Sequence, residues 1–149
     1  MSIKQNLYNQ CHDFAENRLQ TIQSTIQDIQ KSLLSETKSS AGDKHETGRA
    51  MLQLEREKVG NQLAEIQKVK ETLSKIDIDT SSEIASIGSL VYTSKLNYFI
   101  SISAGELKYK DDIFYAISPS TPIAKLLLSK NVGDEVTFRN LTFAITKIV

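Results

Sequence analysis

Ala15, Leu19, Ile22, Ile26, Ile29 and Leu33 recur at steps of four, three, four, three and four, and this spacing constrains the fold more than any other feature of the chain. Steps that alternate between four and three residues hold an apolar seam on one side of an α-helix, and the Gln, Asp, Lys and Thr residues between them suit the wet side. Tyr8 and Cys11 extend the stripe backward, with a stutter at the four-residue step from Ala15 to Leu19. A second stripe follows: Leu52, Val59, Ile66 and Leu73 recur every seven residues, Leu63, Val69 and Ile76 fill in, and Arg56 and Lys70 interrupt the seam. Inside it Gly60 precedes Asn61 and costs about 1 kcal/mol against Ala, the mark of a close backbone approach or a bend.

Two stripes of similar length around a Ser/Gly interruption predict an antiparallel coiled-coil α-helical hairpin over residues 1–76, each arm burying its seam against the other. An arm of about 30 residues is on the order of 45 Å long. The tip lies at 39–49, in SSAGDKHETGRAMLQLERE, and residues 77–88, DIDTSSEIASIG, with their Ser/Asp/Thr composition, read as a linker.

From residue 89 the period changes from helical to alternating. Residues 89–94, 97–103, 112–118, 135–140 and 141–149 are short runs rich in Val, Ile, Phe, Tyr and Thr and predict strands. One short helix interrupts them: Thr121 caps it, Pro122 occupies its first turn, and Asn131 or Gly133 ends it. The expected class is therefore α+β, a helical hairpin followed by a small β-sheet domain with one helix at 89–149. About seventy residues make a marginal core, so this domain is expected to pack on the hairpin base or to be steadied by a partner.

Composition excludes several functions. No apolar run approaches the roughly 20 residues that span a bilayer, and the N-terminal sequence lacks the layout of a signal peptide, so a cytoplasmic protein with no membrane partner is expected. Cys11 is the single cysteine and His12 and His45 are the only histidines, which leaves no zinc-ligand spacing; Cys11 reads as a small apolar helix residue. Lys and Arg number 11 against 10 acids over residues 1–76 and 7 against 8 over 77–149. Such balance disfavours autonomous DNA or RNA binding, which needs a clustered basic excess to displace counterions.

The tip carries Asp43 and Glu46, three residues apart. Their spacing is close to a capping box, and both acids suit the positive end of a second helix. The same two carboxylates at the end of a long hairpin could instead complete a Mg²⁺ site, because Mg²⁺ commonly takes one or two protein carboxylates and draws its other ligands from phosphates, waters or another protein.

Gly42, Asp43 and Glu46 match the Gly-Asp-x-x-Glu tip of the bacterial Gre transcript-cleavage factors. SPSTPIAKLLLSKNVGDEVTF at 118–138 resembles the C-terminal signature of that family, and IGSLVY at 87–92 resembles the entry to the same domain. The resemblance runs through nearly the whole chain in order. It implies a C-terminal domain of the FK506-binding-protein type that docks on RNA polymerase, and a hairpin that enters the secondary channel toward the 3′ end of backtracked RNA. It also implies that Asp43 and Glu46 help to hold a Mg²⁺ shared with the polymerase, whose own active site then cleaves the transcript. The protein would be a monomeric elongation factor and not an enzyme by itself.

After Glu46 the family usually continues with Asn-Ala-Glu-Tyr, whereas Thr47, Gly48, Arg49 and Ala50 stand here: a cation replaces a third acid, and an aromatic is lost. Arg49, one turn from Glu46, could pair with it or, with Lys44, contact an RNA phosphate or the channel wall. An alternative is therefore a channel-binding regulator that does not support cleavage, and a third reading is an interaction module whose hairpin dimerises. His45 could shuttle a proton near neutral pH or be solvated, and Lys31 and Lys38 could be solvated or touch the transcript. The FK506-binding-protein resemblance does not carry isomerase activity: there is no Trp, and Tyr98, Phe99, Phe114, Tyr115, Phe138 and Phe143 fall at strand spacing, where core packing explains them.

Overall fold

The computed structural model describes residues 2–38 and 43–149, and of residues 37, 38 and 43–46 the backbone alone. The chain is α+β: two long N-terminal helices form a hairpin, and a six-stranded mixed sheet with one short helix follows. It divides into two compact units, Ala15–Lys70 and the combination of Met1–Phe14 with Glu71–Val149.

Helix α1 spans Ile3–Lys38 and α2 spans Asp43–Ser74. In the first unit, Ala15, Ile22, Ile26 and Ile29 of α1 are buried with Val59 and Ile66 of α2, the seams expected from the heptad spacing. Lys70 Nζ lies 2.5 Å from Glu16 Oε1, and the Glu36 carboxylate lies 3.8 Å from where a Cβ on Gly48 would stand. As α1 advances from 16 to 36, its neighbours in α2 retreat from 70 to 48, which is antiparallel pairing. The close backbone approach expected at Gly60 is not found: among the described residues the one atom within 4 Å of where a Cβ would stand is Nη1 of the half-buried Arg56 side chain, at 3.0 Å.

In the second unit the strands are β1 Leu90–Thr93, β2 Asn97–Ile100, β3 Gly105–Tyr109, β4 Asp112–Ile117, β5 Glu135–Phe138 and β6 Leu141–Ile148, in the spatial order β3-β4-β2-β1-β6-β5. All neighbours are antiparallel except β2 and β4, which are parallel. Tyr98, Phe99 and Ile100 are consecutive and all buried, so both faces of the sheet are covered. On one face Val91, Tyr98 and Ile100 pack with Ile123 and Leu127 of α3, Pro122–Leu127, together with Val136, Phe143 and Ile145. The pairings Leu90↔Phe99, Phe99↔Ala116 and Leu107↔Phe114 place those residues on the opposite face.

The first turns of α1 and the last turn of α2 fold with this sheet. Leu7 and Cys11 are fully buried, Cys11 Sγ lies 3.6 Å from Ser101 Oγ, and Gln10 donates to the Lys108 carbonyl at 2.8 Å. Tyr8, expected in the seam, is only half-buried and donates its hydroxyl to the Leu73 carbonyl at 3.2 Å; Leu7 takes the buried place. Lys4 is 6% exposed and donates to the Thr80 carbonyl at 2.8 Å. Within the expected linker, Ala85 is buried and exchanges hydrogen bonds with the segment after α3: its N–H donates to the Lys130 carbonyl at 2.9 Å, and the Ser129 N–H donates to its carbonyl at 2.8 Å.

Two expectations are corrected. Strand β3 was not anticipated from the sequence because Leu107 is its one buried residue, and an edge strand rich in charge shows no apolar alternation. Helix α3 ends at Leu127 rather than at Asn131 or Gly133. Leu128 is already extended at φ −57° and ψ 138°, and Ser129 turns left-handed at φ 69°, drawn off by its pairing with Ala85. The start of α3 is as expected: Thr121 Oγ1 accepts from the Ala124 N–H, and Pro122 occupies the first turn.

Candidate functional site

Asp43 is the first residue of α2, and Glu46 follows within its first turn. The capping box expected of Asp43 and Glu46 rests on their side chains, which lie outside the described residues, as do residue 42 and the side chains of Lys44 and His45. Residues three apart on a helix share a face, so the backbone places both acids on one side of the first turn of α2. Among the described residues, no group of three or more His, Cys, Asp or Glu side chains could hold a metal ion.

Around these positions the described side chains add one cation and one acid. Arg49 is exposed, one turn beyond Glu46. Glu36, half-buried in α1, lies level with Gly48 in α2. Sequence reasoning passed over Glu36 because it belongs to the other helix, and the register of the hairpin alone brings it to this level. The only signal in the chain was the matching length of the two stripes.

Away from the tip, Cys11 and Tyr98 are titratable groups that serve packing. Burial pushes the Cys11 thiol up to about 11, against the opposing effect of its hydrogen bond with Ser101. Such a thiol is no nucleophile near neutral pH, in keeping with its reading as a small apolar residue. Burial raises the Tyr98 hydroxyl above its ordinary value, with Tyr115 adding to the effect, and the Tyr98 ring lies 6.5 Å from both Tyr115 and Phe143. These rings fill the core beside α3, as expected from their strand spacing.

One similar solved structure is that of the transcription factor Gfh1, at 18% identity over 95% of this chain and 92% of that chain, with a TM-score of 0.35. No protein-family model matches the chain, and no curated protein matches it. Among the described residues no helix is long and apolar enough to cross a membrane.

Proposed function

We propose that this protein is a Gre-like transcription elongation factor, which acts as a monomer in the cytoplasm and stimulates RNA polymerase to cleave backtracked RNA. The observation that carries the reading is the position of Asp43 and Glu46 in the first turn of α2, at the closed end of a hairpin with arms of 36 and 32 residues. At 1.5 Å per residue such arms are on the order of 50 Å long, enough to carry two carboxylates deep into a channel. The resemblance of residues 118–138 to the C-terminal signature of that family supports the same reading and assigns polymerase docking to the sheet domain.

In this mechanism Asp43 and Glu46 would hold Mg²⁺ through their carboxylates together with ligands from the polymerase and the RNA phosphate, and the ion would supply Lewis acidity and charge neutralisation for hydrolysis of the phosphodiester. Neither acid need bind the cation tightly alone, since docking holds them at a high effective concentration. Arg49, exposed one turn further on, is positioned to contact a phosphate of the transcript or to pair with Glu46.

A second reading rests on Arg49, because a cation in place of an acid weakens the pull on a metal: the same hairpin would occupy the channel and regulate the polymerase without supporting cleavage. A cleavage assay on backtracked elongation complexes separates the two. Shortening of end-labelled RNA by the intact protein, absent with Asp43→Ala/Glu46→Ala, supports the first. Binding to the polymerase with no shortening rejects it in favour of the second.

A further inference from the structure

β1 runs antiparallel to β2 and β6, β2 parallel to β4, β3 antiparallel to β4, and β5 antiparallel to β6. Hence β1, β3 and β5 all point one way, and the connections β1–β2, β3–β4 and β5–β6 lie side by side at one end of the sheet. In the spatial order β3-β4-β2-β1-β6-β5, neighbouring turns are two strand spacings apart, about 10 Å. The Ser94 N–H donates to the Ala144 carbonyl at 2.9 Å, so the β5–β6 hairpin reaches beyond the β1–β2 turn and the rim is uneven.

Each turn presents an exposed cation: Lys95, Lys110 and Arg139. Lys110 and Arg139 have φ of 54° and 52°, left-handed conformations that favour Gly or Asn because any other Cβ crowds the backbone carbonyl. Asn140, at φ 67°, obeys that preference, and the two cations do not. Strain kept at two turns on one rim, when glycine would relieve it, points to a use for the charges. Lys110 Nζ lies 5.4 Å from the Tyr109 ring centroid and Arg139 Cζ 5.0 Å from that of Phe138, so both are held in place by the preceding aromatic. The middle turn is tied by the Lys95 N–H donating to Thr93 Oγ1 at 3.1 Å, and by the Thr93 hydroxyl donating to the Leu96 carbonyl.

The balanced count of residues 77–149 conceals a segregation. In and beside the three turns Lys95, Lys108, Lys110 and Arg139 stand against Asp111 and Asp112, and Lys147 of β6 lies over the Tyr92 ring, 5.3 Å from its centroid.

We propose that this rim binds the phosphodiester backbone of single-stranded nucleic acid, with Lys95, Lys110 and Arg139 as the phosphate contacts. A flexible strand can follow an uneven rim of cations, where a stiff duplex cannot. The Tyr109 and Phe138 rings are engaged by the cations, so contact is with the backbone and independent of sequence. Three contacts make the hold weak by itself, in keeping with the balanced charge of the chain. The inference does not depend on the reading of the tip.

The test is fluorescence anisotropy of the full chain with short labelled oligouridylate RNA and oligothymidylate DNA. Both bind, and with three phosphates neutralised the affinity falls roughly 20-fold between 50 and 200 mM salt. Lys95→Glu/Lys110→Glu/Arg139→Glu abolishes binding, whereas Lys125→Glu/Lys130→Glu changes it less than about threefold. Lys110→Gly/Arg139→Gly weakens binding while leaving the melting temperature equal or higher, which a structural role for these side chains would not produce. Absence of salt-dependent binding at 50 mM overturns the proposal, as does equal loss in the Lys125/Lys130 pair. Loss of polymerase binding in the triple variant, when the intact chain shows no affinity for either oligonucleotide, also overturns it and makes the rim a protein contact.

Discussion

Cys11 in α1 and Ser101 just beyond β2 meet with Sγ and Oγ 3.6 Å apart, both fully buried, across 90 residues of sequence. This contact ties the start of the hairpin to the face of the sheet that carries Phe99. The thiol is expected to resist an aromatic disulfide reagent at neutral pH in the native protein and to react at once in denaturant. Its folded pKa of about 11 lies above the ordinary 9.0, so the folded state holds this proton more tightly. The stability it contributes is fully present below pH 9 and is lost as pH rises toward 11, by about 3 kcal/mol in all. Urea melts of the native chain and of Cys11→Ala across pH 8–10.5 check the sign: the variant should lose stability less steeply.

Two glycines should respond in opposite directions. At Gly60, inside α2, a Cβ would meet only the end of the flexible Arg56 side chain, at 3.0 Å. Gly60→Ala is expected to stabilise by up to about 1 kcal/mol through helix propensity, once Arg56 shifts. Gly88 has φ +92° and a Cβ there would stand 3.2 Å from Ile76 Cγ2, while its N–H donates to the Ile100 carbonyl at 2.7 Å. Gly88→Ala is expected to destabilise by about 1–3 kcal/mol. Thermal melts of both variants decide the matter.

Phe99 is fully buried at the centre of the face opposite α3. Phe99→Ala should cost about 3–5 kcal/mol, a large part of the stability of a chain this size. Circular dichroism at the helical minimum and hydrogen exchange in the sheet are the measurements. Loss of sheet protection with the helices of Ala15–Lys70 retained would also establish that the two compact units melt separately.

At the tip, Asp43→Ala/Glu46→Ala should abolish stimulated cleavage with a change in melting temperature no larger than that of a lost helix end, about 1 kcal/mol. Arg49→Ala is expected to lower the Mg²⁺ concentration for half-maximal cleavage by about twofold if Arg49 draws charge from Glu46 across one helical turn. A metal titration of the cleavage rate reads both.

The heptad steps from Ala15 to Leu33 and from Leu52 to Leu73 determined the paired helices, because an apolar stripe at that period can be buried only against a matching one. Thr121 and Pro122 likewise determined where α3 begins, since capping is a matter of a few adjacent residues. The position of Asp43 and Glu46 at a helix start was legible for the same reason, whereas their role as ligands of a cation rests on the resemblance of the tip and not on spacing, which suits a helix cap equally. Tertiary structure alone decided the rest. Strand β3 forms because the edge of β4 offers unpaired hydrogen bonds to a segment with one apolar residue, and α3 stops at Leu127 because Ala85, some forty residues earlier, claims the backbone beyond it. The parallel pairing of β2 with β4, the arrival of Glu36 beside Gly48, and the alignment of three cationic turns on one rim all join residues distant in sequence. Local composition carries no record of such meetings, which are set by strand order and helix register once the whole chain has closed.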